Sequence, residues 1–175
     1  MGREVRRVPA AWQHPKKLVW DVVLRARVER YIPLLPGENY QRHVDSWDDS
    51  CARWKCGWRP DYCTEPADRA MTYEQYEGQR PHKDDYMPDW PENQRTHYMM
   101  YEDTSEGTPI SPAFATPEEL AQWLTDTGAS AFGSSTATYD QWLLVAQGSS
   151  APSAVYIPGT GLVSGVQALA DLKEV

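Results

Sequence analysis

An α+β fold is what this 175-residue sequence predicts: a small single domain with a mixed or antiparallel sheet, two or three short helices and long Pro-rich loops. Three observations carry the prediction. Helix-start signals stand at Thr116-Pro117-Glu118-Glu119 and at Thr138 with Gln141. Short runs of alternating or β-branched residues mark strands. The 14 prolines and 11 glycines cut the remainder into loops. Strand and helix patterns do not alternate strictly, which points away from a parallel α/β sheet. Residues 1–175 are expected to form one domain, with 59–95 an acidic, Pro- and Tyr-rich loop region within it.

The elements follow in order. Glu4–Val8 reads as a strand closed by Pro9. Leu18–Leu35 fits two patterns: Val19, Val22, Val23, Ala26 and Ile32 make a helical stripe, whereas β-branched Val19, Val22, Val23 and Val28 favour strand, so two strands or a strand with a helix are expected. Over Asp45–Trp58, Trp47, Cys51, Trp54 and Trp58 recur at helical spacing on one apolar face, and Gly57 suits the helix end. Met71–Glu77 is a short helix capped by Thr72. Pro81, Pro88 and Pro91 forbid a regular helix and predict a surface loop pinned by Tyr86, Met87 and Trp90. Thr96–Tyr101 is a strand, 102–107 a turn and Thr108–Phe114 an extended edge segment. Helices are expected over 117–126, with Leu120, Trp123 and Leu124 inward and Gly128 as stop, and over Tyr139–Ala146. Ser153–Ile157 is a strand, Pro158–Gly161 a turn, and 162–172 a last strand or short helix. Of eight tryptophans, Trp20, Trp47, Trp54, Trp123 and Trp142 have neighbours that suit a core. Trp12, Trp58 and Trp90 belong to loops, as pins or as a protein-binding hot spot.

With 41% hydrophobic and 11% aromatic residues the chain is not a disordered one. It has no apolar run of the roughly 18 residues that a membrane span requires. The basic opening segment lacks the apolar stretch of a secretory signal, so a cytoplasmic setting is expected. The net charge of −8 is unevenly spread: +5 over residues 1–60, −11 over 61–126 and −2 over 127–175. An acidic middle repels a phosphate backbone and suits a basic protein surface.

His43, Cys51, Cys56 and Cys63 are the candidate zinc ligands, since three thiolates and an imidazole satisfy a tetrahedral ion. Their Cys-x4-Cys and Cys-x6-Cys spacings depart from a zinc knuckle, and Cys51 and Cys56 on one helix point about 140° apart. The odd count argues against a disulfide framework. His82, Asp84, Asp85 and Asp89 offer groups for a hard metal or for acid–base work, against the plainer reading of a solvated acidic loop. No GxSxG elbow, Walker loop or HExxH helix occurs. Gly159-Thr160-Gly161 reads as a turn. Gly107-Thr108-Pro109-Ile110-Ser111-Pro112 is a stiff extended segment, either a rigid connector or one that presents Ile110 to a groove or lines a cleft.

The stretch DDYMPDWPENQRTHYMMYEDTSEGTPISPAFATPEELAQWLTDTGASAFG from Asp84 to Gly133 resembles a family of uncharacterised proteins encoded by tailed phages and prophages. The opening Arg3–Pro9 with Trp12, His14 and Pro15 is similar to that family's start, and Thr138–Leu143 with Gly161–Gly165 to its end. Residues 18–80 are outside the resemblance. It implies a viral origin and action in the cytoplasm of an infected bacterium, and it carries no catalytic residues.

The resulting expectation is an accessory protein, with no catalysis and no cofactor, that binds a host protein with a basic surface, a defence component being one option. Its expected contact residues are Trp58, Asp84, Asp85, Tyr86, Asp89, Trp90 and Ile110. Nucleic acid and membrane are not expected partners, and the oligomeric state is open. Two other readings are a metal-binding enzyme or zinc-stabilised domain built on the cysteine or His82/Asp84/Asp85 groups, and a virion or assembly component.

Overall fold

A computed structural model describes residues 2–103, 107–148, 150–159 and 161–171. Among them are the strands β1 (Arg3–Val8), β2 (Lys16–Asp21), β3 (Ala26–Tyr31), β4 (His97–Glu102), β5 (Thr108–Pro109), β6 (Ser150–Ala151), β7 (Ala154–Ile157) and β8 (Gly161–Ser164). The helices are α1 (Tyr40–Lys55), α2 (Pro66–Ala70), α3 (Tyr73–Glu77), α4 (Pro117–Asp126), α5 (Tyr139–Gly148) and α6 (Gly165–Asp171). All strand pairs within the sheets are antiparallel and the fold is α+β. The contacts group into two compact units, 1–34 with 90–175, and 35–89. Parts of two expected turns, 104–106 and Thr160, and the expected final residue Leu172 lie outside the described residues.

In the first unit the main sheet runs β5-β4-β1-β6. The register Val5↔Met100 and Arg7↔Tyr98 places Val5, Met100 and Tyr98 on one face. That face packs on a core of Leu120, Leu124, Trp142, Val145 and Val166, all fully buried. At about 1.5–3 kcal/mol per buried aliphatic side chain, this cluster dominates the unit's stability. The opposite face carries Arg6, Val8, Met99 and Tyr101, all buried, with the Arg6 guanidinium 4.4 Å from the Tyr101 ring centre. Arg6 Nη1 donates to the Leu34 carbonyl at 2.6 Å and Nε pairs with Glu4 at 2.8 Å, so the buried cation is compensated.

Helix α4 begins where the sequence predicts. Thr116 Oγ1 accepts from the Glu119 amide at 3.1 Å, while Glu119 Oε2 reaches one residue beyond a regular box to the Ala115 amide. Gly128, at φ 62°, ends it. At α5, Thr138 and Gln141 exchange both capping-box bonds. The final segment is both of the expected alternatives, β8 followed by α6, with a further box between Ser164 and Gln167. Gly165 is required there because a Cβ would collide with the Pro152 carbonyl.

Strands β2 and β3 form a separate two-stranded sheet, which resolves the ambiguous 18–35 stretch as a hairpin. Asp21 Oδ1 accepts from the Val23 and Leu24 amides, both at 2.9 Å, and Arg25 closes the turn at φ 49°. Trp20, expected in the core, is 62% exposed. Period-two alternation puts it with Leu18 on the hairpin face that is exposed among the described residues.

In the second unit, α1 starts before the expected Asp45 and buries Val44 and Trp54. The Trp54 indole donates to the Met71 carbonyl at 2.9 Å and packs against Tyr73 and Tyr76 of α3. Thr72 and Gln75 form the expected α3 cap as a full capping box. Arg80 forks onto Asp48 at 2.8 and 2.7 Å. The Met87 amide donates to the Leu35 carbonyl at 2.8 Å and the Leu35 amide to Asp85 at 2.9 Å, joining the two ends of the unit.

Candidate binding surface

The 108–114 segment fixes one wall of an open groove of about 900 Å³. Its ladder with β4 is irregular. The Ile110 amide donates to the Met100 carbonyl at 2.9 Å, but the Met100 amide donates to Ser111 Oγ, also at 2.9 Å. Regular pairing resumes at Phe114, which exchanges two bonds with Tyr98. The Ser111 hydroxyl takes the place of the backbone carbonyl that would accept from the buried Met100 amide in a regular ladder. The segment is a connector and also lines a cleft, with Ile110 half-buried in its wall.

The loop 10–16, Tyr31, Met99 and Trp123 complete the groove. Beneath it lies a polar relay. His14 Nε2 is 2.6 Å from the Ile32 carbonyl, which only accepts, so Nε2 carries the proton. The neutral Nδ1 then accepts from the Tyr101 hydroxyl at 3.2 Å, and that hydroxyl accepts from the Trp12 indole at 3.2 Å. Burial pushes the Tyr101 phenol up to about 12 and holds the His14 imidazole below its ordinary value, Arg6 adding to the latter effect. Both groups are therefore neutral near pH 7. The Trp12 ring stacks edge-on against Trp90 at 4.7 Å, and His14 against Tyr31 at 5.6 Å.

The hairpin rises from this groove, since Tyr31 and Lys16 of its root are in the wall. Cross-strand pairing puts Lys16, Leu18, Trp20, Arg27, Glu29 and Tyr31 on one face. All six are exposed, and at the tip Val22, Val23 and Leu24 are exposed too, Val23 to 91%. Half of the exposed large hydrophobic side chains among the described residues belong to this one hairpin.

The expected contact residues fare differently. Asp84, Asp85 and Asp89 are exposed, the first two on a 3-10 turn over 83–85. Tyr86, expected at a partner surface, is only 6% exposed. It is held by His43, whose Nδ1 is 2.8 Å from the hydroxyl, and by the Tyr40 ring at 5.1 Å. Trp58 lies past the end of α1 rather than on its apolar face, under the Arg53 guanidinium at 3.9 Å. Trp90 pins the 10–16 loop through Trp12. All three cysteines are free thiols: Cys51 half-buried, Cys56 exposed and Cys63 buried. Among the described residues no three or more His, Cys, Asp or Glu side chains, including His43, Cys51, Cys56, Cys63, His82, Asp84 and Asp85, gather as a metal site. Sequence reasoning missed Leu18, Trp20, Val22, Val23 and Leu24 as surface groups. Their signal is the apolar stretch, broken only by Asp21, between the cation pairs Lys16-Lys17 and Arg25/Arg27.

No family model matches the chain. No curated protein matches it, and no solved structure does.

Proposed function

We propose that this chain is a binding protein that docks onto another protein through the hairpin β2–β3. One observation carries the reading: Leu18, Trp20, Val22, Val23 and Leu24 are all exposed on one ribbon. Contiguous exposed apolar side chains mark interaction sites, and a lone hairpin is marginal in water unless something covers it. Over residues 16–31 there are five cations against two carboxylates. The matching partner surface is an apolar cleft with an acidic margin. This differs from the basic partner that the acidic middle suggests, and it moves the contact residues from 58–110 to 16–31. The resemblance to tailed-phage proteins supports a protein of the host bacterium as the partner, and interference with a host defence is one role such docking would serve.

The test is affinity capture from bacterial lysate with the wild-type chain and a Trp20→Ser/Val23→Asp variant. Truncating hot-spot residues of this kind costs about 2 kcal/mol or more, roughly 30-fold in affinity, so the variant is expected to lose the partner. Its melting temperature should be unchanged, because both side chains are exposed. Capture that the variant retains, or that neither protein gives, overturns the reading.

A further inference from the structure

We infer that the groove at the root of the hairpin takes an extended, proline-bearing segment of the protein partner, an inference that rests on the docking role just proposed. The Trp12, Tyr31 and Trp123 rings line the opening, and among the described residues its wall holds no carboxylate and one charged side chain, Lys16. The wall's polar groups divide in two. The Trp12 indole and the His14 imidazole are satisfied by Tyr101 and Ile32. The Trp123 indole N–H, the Tyr31 hydroxyl and the Gln13 amide make no hydrogen bond among the described residues. The groove therefore offers donors between aromatic rings.

A polyproline II segment is the complement. Its carbonyls have no internal partners and accept from such donors, its prolines contribute no N–H needing an acceptor, and its pyrrolidine rings pack on aromatic faces. Strand addition to the adjacent sheet edge fits less well, because Pro109 and Pro112 remove N–H groups from that edge. Continuity favours the same partner for both surfaces, since Lys16 and Tyr31 belong to the hairpin and to the groove.

The experiment titrates the full chain with an acetylated, amidated decaproline peptide and with a Gly-Ser peptide of equal length, followed by calorimetry and tryptophan fluorescence. Decaproline is expected to bind at least about tenfold more tightly than the control. Tyr31→Phe removes one donor from an exposed position and is expected to weaken binding about fivefold. Trp123→Phe, which keeps a ring against Phe114, should weaken it similarly. Equal responses to the two peptides overturn the inference, as do Tyr31→Phe and Trp123→Phe variants that both bind like wild type. Self-association of the chain that decaproline leaves undisturbed also overturns it, by putting a second copy in the groove. If decaproline fails while the Trp20→Ser/Val23→Asp variant still loses lysate capture, the groove assignment falls and the hairpin docking stands. The reverse pattern removes the hairpin.

Discussion

His14 shows how one residue links burial to proton binding. Its imidazole is 6% exposed, with both nitrogens engaged and Arg6, Tyr31, Trp12 and Tyr101 around it. Desolvation depresses its pKa in the folded chain. The unfolded chain then binds the extra proton first, and stability is complete above the unfolded value near ~6.5 and declines as pH falls toward the depressed folded value. Melting temperatures of wild type and His14→Gln measured from pH 7.5 to 5 should converge as the pH drops, because only the wild type loses this contribution. Parallel curves would refute it. Ser111 makes a sharper residue-scale case. Its hydroxyl is the acceptor for the amide of fully buried Met100. Ser111→Ala should cost about 1–3 kcal/mol, the penalty for leaving that amide unserved, read as a lower denaturant midpoint with an unchanged slope. Neither role is visible in a one-dimensional pattern, since each depends on a partner many positions away.

Elements with local start signals were legible in the sequence, and those shaped by distant partners were not. Thr116-Pro117 and Thr138 announce α4 and α5 because a cap is a contact within four residues. Thr116→Ala should remove about 1 kcal/mol and lower the melting temperature by about 2–4 °C. The 18–35 stretch carries both a helical and a strand pattern, and pairing of Val19 with Val28 settles it. Trp20 differs from its expected core place for the same reason: its neighbours suit a core, but it stands on a hairpin face that is exposed among the described residues. Tyr86 is the converse, an aromatic in a Pro-rich acidic loop that His43 and Tyr40 draw inside. The expected contact residues rest on charge and loop composition. The apolar surface that emerged is set by which face lacks a neighbour, and periodicity alone does not reveal that.

For the whole molecule, thiol exposure offers a direct readout. Cys56 is exposed, Cys51 half-buried and Cys63 buried. A thiol reagent such as Ellman's should label them in that order, with Cys63 reacting only as fast as its unit opens. Equal rates for all three would contradict the burial of Cys63.

Another consequence follows from the place of β1. The first strand of the chain is an inner strand of the main sheet, between β4 and β6. Its partners are residues 97–102 and 150–151, so the ribosome must add both segments before the sheet can close around β1. At about 5–20 residues per second, β1 waits on the order of ten seconds for residues 150–151 with Val5 and Val8 uncovered. Yield in the cell should therefore respond to chaperones that hold nascent segments more than to the stability of the finished sheet.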